Sequence, residues 1–289
     1  MAASSPRWNP ASHRERRGAA AVAGAAVRLY LRFVATHFRA QMQYPGALGL
    51  QMLGSVLFTA VEFVGVWALL DRFGNVRGWE LAEVAVLYGM VMVGFATAEA
   101  TGRGFDTFHR LVRGGDFDRV LLRPRHTVLQ VAGAEFAFHR AGRWLQGAAI
   151  LTWGLVSAGI AWNPARVVLL AETIAGVTVL FLGVFVATAA VTFWTVQSLE
   201  LLAIVSNGSV DAASYPATVY RRFMRRFLFF IVPIGTVTYF PVAALLGRPD
   251  PLGTPAWFGW AAPAAAPLFL AAALFLWRLG VRHYNSTGS

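Results

Sequence analysis

The sequence predicts an all-α integral membrane protein of about six transmembrane helices, with an N-terminal interfacial amphipathic helix and a cytoplasmic amphipathic element between spans two and three. Three observations carry this. Of 289 residues, 57% are hydrophobic and only 13% charged, against roughly 25% charged in a soluble domain. Several apolar runs are long enough to cross ~30 Å of hydrocarbon at ~1.5 Å per residue. The arginines, finally, crowd into alternate loops, which is the signature of a fixed membrane orientation.

The chain divides into a basic tail, 1–25, expected to be disordered, and one six-helix transmembrane domain, 26–289. Low hydrophobicity and high charge in MAASSPRWNPASHRERRGAA leave no core to form. Residues 26–44 read as the interfacial helix. Leu29, Phe33 and Ala40 share a stripe, Tyr30, Val34 and Phe38 flank it, and Arg28, Arg32 and Arg39 lie opposite, where they reach water. Pro45–Gly46 is the expected break. The spans follow at about 47–70, 81–101, 144–162, 165–194, 227–246 and 257–277, with Asn163–Pro164 a tight turn and span five interrupted by Pro233 and Pro241.

With the N-terminus in the cytoplasm, 21 arginines fall inside, including Arg221, Arg222, Arg225 and Arg226. Four fall outside: Arg72, Arg77, Arg166 and Arg248. The rule that cytoplasmic loops are arginine-rich therefore places both termini in the cytoplasm. It also accounts for the net charge of +11 without nucleic acid as a partner.

Cysteine is absent, which removes disulfides, thiolate metal sites and cysteine nucleophiles. Lysine is absent too, since every basic residue is arginine. A phosphate-binding GxxxxGK[ST] loop is thereby excluded, as is Schiff-base chemistry. The histidines show no HxxxH or HExxH spacing and there is no GxSxG, so neither metal nor serine catalysis is expected. The chain does not read as an enzyme.

The polar insertion 102–126 is the richest stretch. Phe105, Phe108 and Val112 recur at helical spacing, while Asp106, Arg110 and Arg113 occupy the other surface. Gly114–Gly115 stops this helix. Asp116–Phe117–Asp118 starts a second turn whose acids suit the helix dipole, and Arg123–Pro124 ends it. Such paired short helices suit docking onto another protein. Glutamates lie in or beside the spans at 62, 83, 99, 135, 172 and 200. Because intramembrane charge costs ~2.5–3.5 kcal/mol on insertion scales, Glu83, Glu99 and Glu135 are expected to pair with an arginine such as Arg140 or Arg143 or to lie at the interface. Glu62 and Glu172 are the deepest and are candidates for lining a pathway.

The segments RGGDFDRVLLRP (113–124), TFWTVQSLELLAIVSNGS (192–209), YPATVYRRFMRRFLFFIVPIGTVTYFPVAALLG (215–247) and GVRHYNSTGS (280–289) resemble permease subunits of type-2 ABC exporters, in the actinobacterial-type branch with a separate ATP-binding subunit. The resemblance implies a permease that pairs with a second copy or paralogue and engages two ATP-binding subunits. Residues 103–124 would then be the coupling helix. Phe105, Asp106, Phe108, Arg110, Val112, Asp116 and Arg119 are the candidate ATPase contacts. ATP and Mg would sit on the partner ATPase, with no cofactor or metal on this chain. The implied setting is a bacterial cytoplasmic membrane, with membrane lipid around the chain and a hydrophobic substrate, as in multidrug or lipid efflux. The alternative is a proton-coupled secondary transporter that uses intramembrane glutamates.

Overall fold

Helix α1 covers residues 28–41 and ends before the proline that opens α2, Pro45–Phe73. Proline suits a first helical position, where its missing N–H would have no partner anyway. The computed structural model describes residue 24 and residues 28–75, 78–195, 208–248, 253–255 and 257–284, without the side chains of Leu69, Asp71, Phe73 and His139. The expected tail therefore lies outside the described residues except at Gly24, as do Glu200 and the last five residues. After α2 come α3 (Leu81–Asp106), α4 (Phe108–Arg113), α5 (Phe117–Leu121), α6 (Thr127–Ala132), α7 (Ala141–Ser157) and α8 (Pro164–Val191). Then follow α9 over 208–214, α10 (Arg222–Arg226), α11 (Ile234–Leu246), α12 (Phe258–Ala261) and α13 (Ala265–His283). No strand occurs among the described residues.

α3 is the centre, with α7 and α8 packed along it and α13 along α8. Between apolar helices in lipid, van der Waals packing replaces the hydrophobic driving force, so small residues that let backbones approach matter most. A Cβ at Gly89 would lie 2.6 Å from the Leu151 backbone, and one at Gly154 would lie 2.8 Å from Val86 N. The two helices are thus in direct contact, running antiparallel. Gly94 meets Val177 on α8 in the same way, 2.5 Å from its Cγ1.

α1 lies against this bundle through a stripe of half-buried residues at 29, 30, 33, 34, 37 and 41. The expected stripe holds over its first half and then shifts. Phe38 and Ala40 are exposed, while His37 and Gln41 turn inward to reach backbone carbonyls. Gln41 donates to Phe136 O at 2.9 Å, and the Tyr30 hydroxyl donates to Thr101 O at 2.9 Å.

Among the described residues, four helices are long and apolar enough to cross a membrane: Pro45–Ala68, Leu81–Arg113, Pro164–Val191 and Phe258–His283. A bent pair, Arg222–Ile231 with Ile234–Leu246, would make a fifth. The expected third span, 144–162, is shorter than predicted. α7 has 17 residues and stops at Ser157, ahead of Gly159 in the left-handed region (φ 62).

The expected fifth span, 227–246, is not a straight helix. The chain breaks at Val232–Pro233 with a bend of 96°, because proline supplies no N–H and its ring excludes the preceding turn. A π-helical turn, Phe227–Ile231, precedes the break, and α11 itself has 13 residues, Pro241 among them. A straight helix from Arg222 to Leu246 would hold its ends about 37 Å apart. Instead Arg222, Arg225 and Arg226 share a cavity with Thr254 and Phe258, which lie beyond the end of α11. That end is marked by Arg248, paired with Glu83 and bound to Gly78 O. The sequence count set these three arginines opposite the 247–256 turn; the structure brings them beside it. With all four arginines of 221–226 moved across, the asymmetry is 17 to 8, still the same sign.

Candidate functional site

At the far end of the bundle, α3 runs five residues past the expected 101 and breaks at Thr107 into α4. Gly114 closes α4, Gly115 takes φ 70, and α5 returns. The helix–Gly–Gly–helix arrangement expected from 102–126 is present. Its apolar face has a use that spacing along 102–126 alone does not reveal. Phe108 and Phe117 are fully buried, and Phe105 and Val112 nearly so. Phe108 stands edge-on to Phe117 at 5.1 Å, and is 4.8 Å from Trp277 and 5.2 Å from Phe193. Phe105 meets Trp277 at 5.3 Å, and the Trp277 indole donates to Thr127 Oγ1 at 3.1 Å. Each such aromatic pair adds ~0.5–1.5 kcal/mol beyond its burial. Phe105, Phe108 and Val112, read from the sequence as surface contacts, are therefore internal supports. They were misread because their partners Phe193 and Trp277 lie far along the chain.

The exposed residues sit on top of this cluster. Arg110, Asp116 and Arg119 face outward, and Arg119 pairs with Asp116 at 3.1 Å. Beside them Leu122 is 84% exposed, with Leu121 also exposed and Arg123 and Arg125 next to it. This apolar knob ringed by guanidinium groups was not among the expected site residues. Its signal, VLLRPR directly after DFDR, is in the sequence.

Asp106 belongs elsewhere. It pairs with Arg103, whose guanidinium also approaches Glu99 at 3.8 Å and Glu135 at 3.9 Å. Glu99 is 5% exposed and carries Arg140 at 2.9 Å and Arg143 at 3.2 Å. The Thr107 hydroxyl donates to Glu135 at 2.9 Å. One buried carboxylate thus ties α3 to the start of α7 through two arginines, Arg140 and Arg143, with Arg103 of α3 beside it, and the expected pairing with Arg140 or Arg143 is found at Glu99. Breaking such a buried network costs ~3–5 kcal/mol, because it strands a charge.

Glu62 and Glu172 sit on exposed faces of α2 and α8. Glu62 feels the charges of Arg143 and Asp211. Neither glutamate is among the residues lining the three cavities seen at 222–258, 212–239 and 96–145.

A helical bundle with an exposed tip does not by itself name a function. The deciding observation is a match between residues 56–288 and the family described as ABC-2 family transporter protein. The chain belongs to the ABC-2 transporter family. No curated protein and no solved structure matches it. As an ABC-2 protein it is a multi-pass membrane permease component, and its family works with ATP-binding partner subunits. The matched residues include the aromatic cluster, the exposed tip and the Glu99 network, and they leave out α1.

Proposed function

We propose that this permease is the membrane half of an ATP-driven exporter and that each copy engages a separate ATP-binding subunit through the tip formed by α4 and α5. The observation that carries this reading is Leu122, 84% exposed on a short helix–turn–helix held from below by fully buried aromatics. An apolar anchor in a charged rim is the pattern of a protein contact. Force applied at the tip reaches α3 directly and α13 through Trp277, which suits switching between inward- and outward-facing states. ATP and Mg²⁺ belong on the partner, as the missing lysine requires.

Six crossings, the number the sequence predicts, with α7 as one of them, belong to this proposal. The arginine-rich tip and both termini then face the cytoplasm of a bacterial cell membrane. The lipid-length face of α2 around Glu62 is the surface for a second permease copy or paralogue, with a hydrophobic substrate passing between the two. The family assignment leaves the proton-coupled alternative without support.

The test is co-expression with the ATP-binding subunit. L122D and R119E should each lose permease-dependent ATP hydrolysis while the permease elutes unchanged from size exclusion. If both keep full hydrolysis and transport, the tip is not the coupling element.

A further inference from the structure

Elsewhere in the bundle, inward-facing guanidinium groups have carboxylates to meet. Arg103, Arg140 and Arg143 converge on Glu99, and Arg248 pairs with Glu83. Arg222, Arg225 and Arg226 break this pattern. They line one cavity of about 480 Å³; among the described residues its wall has no Asp or Glu and none of the three forms an ion pair. Arg222 and Arg226 are exposed and Arg225 half-buried, so three positive charges on one short helix border the cavity where an anion can reach them.

The rest of the wall is apolar. Phe229, Phe240 and Phe258 form a continuous run of rings, tilted at 5.2 Å and then edge-on at 4.9 Å between successive centroids. The Thr236 hydroxyl fastens the π-helical turn by donating to Phe229 O at 3.0 Å, and π-turns within helices occur often at functional sites. The volume falls within the ~300–1,000 Å³ of small-molecule sites. Beside the cavity, Phe223 and Phe230 are over 80% exposed, so this flank offers hydrocarbon-facing surface from which a membrane-borne molecule can enter sideways.

We propose that this cavity binds an amphiphile whose phosphate headgroup is net negative, with the three guanidinium groups on the anion and the Phe229–Phe240–Phe258 wall on its apolar part. Planar guanidinium suits phosphate because it can offer two N–H donors at once. General headgroup attraction to surface arginines would not need an enclosed aromatic wall, and that difference makes the idea testable. The site is independent of ATP coupling, so either reading can fail alone.

The full-length protein in neutral detergent is titrated with dioctanoyl phosphatidylglycerol, dioctanoyl phosphatidylcholine or inorganic phosphate, and bound ligand is counted by native mass spectrometry. Phosphatidylglycerol should bind saturably, at least about tenfold more tightly than the other two. R222Q/R226Q should abolish that preference, whereas R72Q, which alters an exposed arginine on α2, should keep it. F258A should weaken the lipid several-fold. Both arginines of the double variant are exposed, so it should fold, and its elution on size exclusion checks this. Co-purified phosphatidylglycerol that is lost in R222Q/R226Q marks the membrane as the source; binding only of added lipid marks solution. Equal binding of phosphatidylcholine, equal binding of inorganic phosphate, or an unchanged preference in R222Q/R226Q overturns the site.

Discussion

α2 and α3 are both long, apolar and free of obvious breaks, yet they occupy opposite positions. Only 6% of the apolar stretch of α2 is buried, against 78% in α3. Their glycines show why. A Cβ at Gly104 of α3 would lie 1.7 Å from Val131 O, whereas Cβ atoms at Gly46, Gly49, Gly54 and Gly65 of α2 would meet nothing within 4 Å. Hydropathy reports that a helix can sit in lipid, not how many neighbours it has. In lipid the close approach of backbones identifies the central helix. α2, by contrast, presents Leu50, Phe58 and Val61, all more than 60% exposed, a face fit for lipid or for another chain.

The largest effect should separate the two helices outright. G104V drives a branched side chain into the backbone of α6, beyond the ~1–3 kcal/mol of ordinary overpacking, and should leave no monodisperse protein on size exclusion. G54V on α2 should elute as the parent does. Equal behaviour of the two would remove the distinction between centre and edge.

Next comes charge. E99Q leaves three half-buried arginines without their shared carboxylate and should cost ~3–5 kcal/mol, read as a large fall in thermal midpoint in detergent. E62Q should shift it little in the isolated permease. A comparable fall in both would mean that Glu62 is as firmly paired as Glu99.

The smallest contrast lies within the tip. F108A should destabilise the fold by ~3–5 kcal/mol, the usual cost of deleting a buried ring. R119E, on an exposed residue, should stay within ~0.5 kcal/mol and act only on assembly with the partner. Thermal midpoints of the two variants, measured side by side, check this. A stable F108A would return Phe108 to the surface role that spacing alone suggests.

Much of the fold was legible because its signals are local. Pro45 and Asn163–Pro164 start helices where expected, the Asn163 side chain accepting from Arg166 N–H at 2.8 Å. Gly114–Gly115 divides the tip as predicted. The site was less legible. Burial of Phe105 and Phe108 depends on Trp277, more than 150 positions away, and the bend at Pro233 changes which end of the molecule Arg222 reaches.

By itself the sequence determined that this chain lives in a membrane, that its tip is a helix–glycine–helix unit and that it lacks the lysine a Walker loop needs, because composition, spacing and residue absence are local or global sums. The tertiary structure alone decided which helix is central, which phenylalanines are hidden and where the 221–226 arginines lie. Each of these depends on contacts between residues distant in the chain, and apolar helices of similar composition can meet those contacts in many ways until close-packed glycines and one proline select among them.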